Sequence, residues 1–165
     1  VACPGTDGSN VSIPMDARSY AEHAHRGQMY GSHPYVHHLD EVVGILRSEG
    51  MGHLSDAGYL HDVLEDTPVL YAELLEAFPH AAPTVEKCSG YGRNRKEKQA
   101  SIKLKLVGDC DAQTVKAADR LANVRSCLRD GNPRLLSMYR QEMVGFLDTI
   151  PLAPEKLRNL LSANI

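Results

Sequence analysis

The stretch "YLHDVLEDTP", residues 59–68, sets His61, Asp62, Glu65 and Asp66 close together beside Leu60, Val63 and Leu64. On an α-helix turning 100° per residue, these four side chains fall at about 0°, 100°, 40° and 140°, all on one side. Left bare, the i,i+4 pair Asp62 and Asp66 would repel by ~0.2–0.5 kcal/mol. Two readings meet that cost: a solvated acidic helix end with an incidental histidine, or a divalent cation that neutralises the acids and takes the imidazole. The same stretch speaks for the fold class. Its apolar positions have helical spacing, and Pro68 stops the run, which predicts a helix from about Leu54 to Glu65.

Helical spacing continues outward in both directions. "IPMDARSYAEHAHRGQ" carries Ala17, Tyr20, Ala21 and Ala24 on one stripe, and "LDEVVGILRSEG" carries Val42, Ile45 and Leu46 before Gly50 as a C-terminal cap. Downstream, "VLYAELLEAFP", "APTVEKCS", "RKEKQASIKLKLVG", "DAQTVKAADRLANVRSCLRDG", "PRLLSMYRQEMVGFLDTI" and "APEKLRNLLSA" each read as helices. No alternating β-branched stretch is long enough to found a sheet, so the expectation is an all-α bundle of about eight to ten helices. Residues 1–12, rich in small turn-forming side chains, read as a flexible tail, and 13–165 as a single domain.

Composition narrows the function. The chain has 165 residues, is 42% hydrophobic and carries a net charge of −3, which gives enough core for one domain and no basic excess for nucleic acid. No run approaches the ~20 apolar residues of a membrane span. Cys3, Cys88, Cys110 and Cys127 are scattered without CxxC spacing, so reduced thiols in a cytoplasmic protein are expected. With aromatics at 5% and no Trp, the core must come from Leu, Val, Ile and Ala.

Two distant segments bear on the acidic cluster. "HPYVHHLDEVV" offers His37 and His38, and "KAADRLAN" places Asp119 among Ala117, Ala118, Leu121 and Ala122. An acid in such an apolar helix interior needs a partner. A His, a His-Asp pair and a distant Asp, in that order, resemble the ligands of the HD-domain phosphohydrolases. Within that superfamily the chain resembles the small alarmone hydrolases and the hydrolase domain of the RelA/SpoT enzymes. "AHRGQ" (24–28), "PYVHHLDEV" (34–42), "LHDVLEDT" (60–67) and "VKAADRLANV" (115–124) carry the likeness, in family order.

The resemblance implies a divalent metal held by His38, His61, Asp62 and Asp119. The family's spacing after the "PY" pair selects His38 over His37. Oxygen and nitrogen donors without thiolate suit Mn²⁺. The "ED" pair, Glu65 and Asp66, would orient or deprotonate the attacking water and release the 3′-pyrophosphate of (p)ppGpp or of a close analogue such as (p)ppApp. The rivals are another HD nucleotidase or an NADPH or 3′-phosphatase, and a nucleotide-sensing HD module without turnover. On its length, the chain is expected to hold no synthetase half.

Lys116 and Asn123, each about a turn from Asp119, can face the site as substrate contacts, and the resemblance implies that Asn123 contacts a sugar or holds the aspartate. Arg95 and Lys96, at a helix start after the glycine loop "SGYGRNRKEKQ", would receive an anion, and Tyr139 would line the nucleotide pocket. Arg120 is expected to brace the fold, and His25 to act structurally near the metal. Tyr30 stands where the relatives usually carry an Arg, and could stack on a base but offers no guanidinium.

Overall fold

The computed structural model describes residues 15–164; the tail expected over 1–12 lies outside them. Ten α-helices make up the described chain: α1 Ala17–Ala24, α2 Val36–Ser48, α3 Ser55–Leu60, α4 Val63–Asp66, α5 Tyr71–Ala77, α6 Ala82–Cys88, α7 Arg95–Leu106, α8 Cys110–Asp130, α9 Pro133–Thr149 and α10 Glu155–Ala163. The all-α expectation holds. One small hairpin interrupts it: β1 (Met29–Tyr30) pairs antiparallel with β2 (His33–Pro34). Strands of two residues each leave no alternation for a sequence to display.

The long α8 is the axis, and α2, α3, α6, α7, α9 and α10 all pack on it. Its residues Val115, Ala118, Leu121 and Ala122 are fully buried, small enough for neighbouring helices to approach closely. Asp109 caps its first turn by accepting from the Ala112 N–H (2.9 Å), and Gly131, at φ 71°, ends it in the left-handed conformation. Asn94 and Asn132 start α7 and α9 in the same way. Leu39, Leu46, Leu60, Leu157 and Leu161 complete the core, as the poverty in aromatics demanded. Cys88, Cys110 and Cys127 are free thiols.

Two details set the site. A Cβ on Gly58 would lie 2.8 Å from Leu46 Cδ1 and 3.0 Å from Val43 Cγ2, so the glycine is what lets α3 lie against α2 at this point. The helix expected to run unbroken from Leu54 to Glu65 is instead divided at His61–Asp62 into α3 and α4. The reason is local. The His61 ring gives its Nδ1 proton to the Gly58 carbonyl (2.7 Å), taking over an acceptor at the end of α3. Asp62, at φ −105° and ψ −2°, strays far enough from helical geometry to restart the chain as α4. Thr67, extended before Pro68, closes α4 through its hydroxyl to the Val63 carbonyl (2.6 Å).

Candidate metal and hydrolytic site

α2 supplies His38, the α3–α4 junction His61 and Asp62, and α8 Asp119. Donor atoms of His38, His61 and Asp62 lie within 4.8 Å of one another. Asp119 Oδ1 joins them, 3.1 Å from His38 Nε2 and 3.4 Å from His61 Nε2. Both histidines are about 1% exposed, so these polar atoms are sealed from water.

The electrostatics ask for a cation. Because His61 Nδ1 donates to a carbonyl, its Nε2 is left facing Asp62 Oδ2 at 3.0 Å, yet makes no well-aligned hydrogen bond. Burial alone would push the His61 pKa down, but the carboxylates of Asp62 and Asp119 outweigh it and hold it well above the usual value. Burial likewise opposes ionisation of Asp62 and Asp119. His61 overcomes it at Asp62, and Lys116 and His61 at Asp119, keeping both below the ordinary carboxylate range. Two imidazoles and two carboxylates converging with an orphaned ring nitrogen fit a divalent cation by donor chemistry and by charge. Around them, the Tyr35 hydroxyl donates to Asp62 Oδ2, Lys116 Nζ to Asp119 Oδ2 (3.1 Å) and Asn123 Nδ2 to Asp119 Oδ1 (3.0 Å).

Glu65 and Asp66 project from α4, one turn past the His-Asp pair. Glu65 Oε1 accepts the Gly90 N–H, and Gln28 Nε2 holds Asp66 Oδ2 at 3.3 Å. Burial raises the pKa of both carboxyls.

A cavity of about 590 Å³ opens from Glu65 and Asp119 toward α7 and α9. Lys116, Asn123, Arg95 and Tyr139 line it, as the sequence suggested, and so does Lys98. Arg95 is not idle: its guanidinium is bidentate on Glu142 (2.9 and 3.0 Å). Arg120 reaches the same carboxylate at 3.1 Å and lies over the rings of Phe146 and Tyr139, bracing this wall as expected. Two expected contacts are not brought to the cavity. Lys96 is exposed, because one residue beyond Arg95 the helix has turned 100° away, whereas Lys98 and Gln99 share the Arg95 face. Tyr30 lies under His38, not in the cavity, placed there by the hairpin. His25 is buried, with Nδ1 2.8 Å from Gln28 Oε1, in keeping with a structural role.

Sequence reasoning missed Tyr35, Gln28, Gly90 and Glu142 as partners of the site. Tyr35 and Gln28 sit inside the matching motifs and Gly90 inside the glycine loop, but none of the three segments shows which side chain each would meet; Glu142 carries no signal in its own segment.

A helical bundle that presents a His, a His-Asp pair and a further Asp around one buried point defines the class: this is an HD-domain chain. Its homologues are the (p)ppGpp 3′-pyrophosphohydrolases and SpoT proteins. It is 36% identical over 131 residues to a guanosine-3′,5′-bis(diphosphate) 3′-pyrophosphohydrolase of Spiroplasma citri, a match covering 73% of this chain and 18% of that one. It is 34% identical over 131 residues to a GTP pyrophosphokinase of Myxococcus xanthus (71% and 17%), and 34% over 117 residues to the bifunctional (p)ppGpp synthase/hydrolase SpoT of Escherichia coli K12 (64% and 17%). The chain thus spans less than a fifth of the length of these curated relatives. A solved structure of a metazoan SpoT ortholog, described as hydrolysing ppGpp, superposes with a TM-score of 0.75 at 24% identity, covering 90% of each chain, and carries the fold. No family model matches. No helix among the described residues is long and apolar enough to cross a membrane.

Proposed function

We propose that this chain is a metal-dependent pyrophosphohydrolase that removes the 3′-pyrophosphate of (p)ppGpp or of a close analogue such as (p)ppApp. The observation that carries the reading is the mouth of the cavity, where the half-buried acid Glu65 and the proposed ligand Asp119 share a wall with Lys98, Lys116 and Arg95. His38, His61, Asp62 and Asp119 would hold the metal, with Mn²⁺ the best match to their nitrogen and oxygen donors. A bound divalent cation supplies Lewis-acid polarisation and acidifies water. Glu65, fixed by the Gly90 N–H, then orients the attacking water and takes its proton, with Asp66 beside it held by Gln28. Lys116 and Lys98 offset the charge that gathers on the phosphoryl oxygens.

Product analysis tests this directly. Incubation with (p)ppGpp, (p)ppApp, NADPH and deoxynucleotides, with Mn²⁺ or with a chelator, is expected to release pyrophosphate from a 3′-pyrophosphorylated nucleotide and nothing once the metal is removed. Orthophosphate from a monophosphate, with the alarmones untouched, would instead establish a nucleotidase.

The burial of Glu65 sets a pH expectation. A base works as its carboxylate, and burial disfavours that form, so activity fails as pH falls through a pKa above the ordinary glutamate value of 4.5. The acid limb of kcat, measured with metal saturating at every pH, is expected to lie correspondingly high.

A further inference from the structure

Tyr30 is the one expected substrate contact that the fold turns inward. Its ring lies parallel to the His38 imidazole, with centroids 4.6 Å apart and planes 16° from parallel. Its hydroxyl donates to Asn123 Oδ1 at 2.5 Å, and Asn123 Nδ2 donates to Asp119 Oδ1 at 3.0 Å. Asp119 Oδ1 lies 3.1 Å from His38 Nε2. These contacts close a ring through the hairpin, α2 and α8, with two proposed metal ligands as members.

The orphaned atom at His38 gives the ring its significance. A ligand histidine is ordinarily oriented by a hydrogen bond from its other ring nitrogen. His38 Nδ1 is buried and has no hydrogen-bond partner among the described residues. On its Nδ1 side nothing polar orients this imidazole, and the flat face of Tyr30 lies against it instead. At the other end, the hydroxyl sets the Asn123 amide with its carbonyl toward Tyr30 and its NH₂ toward Asp119, which directs one lone pair of that carboxylate.

We infer that Tyr30 is a positioning residue for the metal, holding His38 by ring stacking and Asp119 through Asn123. The inference rests on the metal reading of the site, and the test separates the two. Mn²⁺ and Co²⁺ are titrated calorimetrically into the metal-stripped protein, and the Co²⁺ visible spectrum is recorded, for the wild type and for Tyr30→Phe, Tyr30→Leu and Asp62→Ala. Removing an outer partner of a metal ligand costs about 10–100-fold in affinity. Tyr30→Phe keeps the stack and loses the hydroxyl, so affinity is expected to fall about tenfold. Tyr30→Leu loses both contacts and is expected to fall toward a hundredfold, with a changed Co²⁺ spectrum. Thermal melts of the metal-free proteins identify any variant that has not folded, and the conservative Tyr30→Phe then carries the result. Wild-type metal affinity and spectrum in Tyr30→Phe and in folded Tyr30→Leu, with binding lost in Asp62→Ala, would overturn the role of Tyr30 alone. Unchanged metal affinity with a raised KM would overturn it in favour of a substrate contact. Unchanged binding in Asp62→Ala would remove the metal site and this inference together.

Discussion

Asp62→Ala is expected to abolish metal binding and turnover together, whereas Glu65→Gln should abolish turnover and leave the metal in place. Asp62 faces His61 Nε2 at 3.0 Å and accepts the Tyr35 hydroxyl, so its loss opens the ligand set without disturbing the apolar core. Saturating metal at a hundred times its Kd stabilises a folded protein by about 2.7 kcal/mol, and the resulting rise in Tm should vanish in Asp62→Ala. Glu65→Gln retains that rise. Because the amide cannot take a proton, kcat should drop by about 10²–10⁴-fold, the range assigned to a general base. A Glu65→Gln enzyme of undiminished kcat would take Glu65 out of the chemistry, and a metal-dependent Tm rise surviving in Asp62→Ala would dissolve the ligand set. Isothermal calorimetry, thermal melts and pyrophosphate release on the same preparations decide the matter.

Gly90→Ala is expected to be nearly as damaging, although the residue touches no substrate. Gly90 does not have the positive φ that would exclude alanine; the obstacle is space. A Cβ there would lie 2.8 Å from both the Lys98 Cβ and the Lys98 carbonyl oxygen, and 3.1 Å from Glu65 Oε1. Main-chain oxygen cannot rotate aside, so the loop before α7 must shift, and overpacking of this kind costs about 1–3 kcal/mol. With the shift, the Gly90 N–H leaves Glu65, and a displacement of about 1 Å at a reacting group can cost ~10²-fold in rate. Denaturant midpoints would show the loss of stability and kcat the loss of alignment. A variant with both at wild-type values would mean that the Gly90 contact does not hold Glu65.

Much of this was legible beforehand, for identifiable reasons. The 3.6-residue spacing located the helices, and Asp119 among alanines announced a buried acid that needed a partner. The break at His61–Asp62 was hidden because only Asp62 leaves ideal helical torsions, and no change in the residue pattern marks it. Lys96 was expected beside Arg95 because both stand at the helix start, where helical phase separates them. Once Arg95 is placed on the cavity wall, the phase selects Lys98 and Gln99. Tyr30 eluded the reading because a hairpin of two-residue strands, invisible to any alternation rule, decides which way it faces. Glu142 had no signal at all: its partners Arg95 and Arg120 lie 47 and 22 positions away and meet it only after α7, α8 and α9 have assembled.

That meeting has a material consequence. α7 buries only Leu106 fully, packs Ile102 against the core, and is moored at both ends by ions: Arg95 on Glu142, and Lys105 on the Glu86 carboxylate and the Ser89 carbonyl. The side of the cavity that carries Asp119 rests instead on close-packed Leu39, Leu60 and Leu121. Dissolved salt weakens partly exposed ion pairs over a screening length of about 8 Å at physiological ionic strength, and scarcely affects apolar packing. The two walls of one cavity therefore respond to different properties of the medium. Ionic strength loosens the wall built on Arg95 and Glu142, while the wall that carries Asp119 stays rigid.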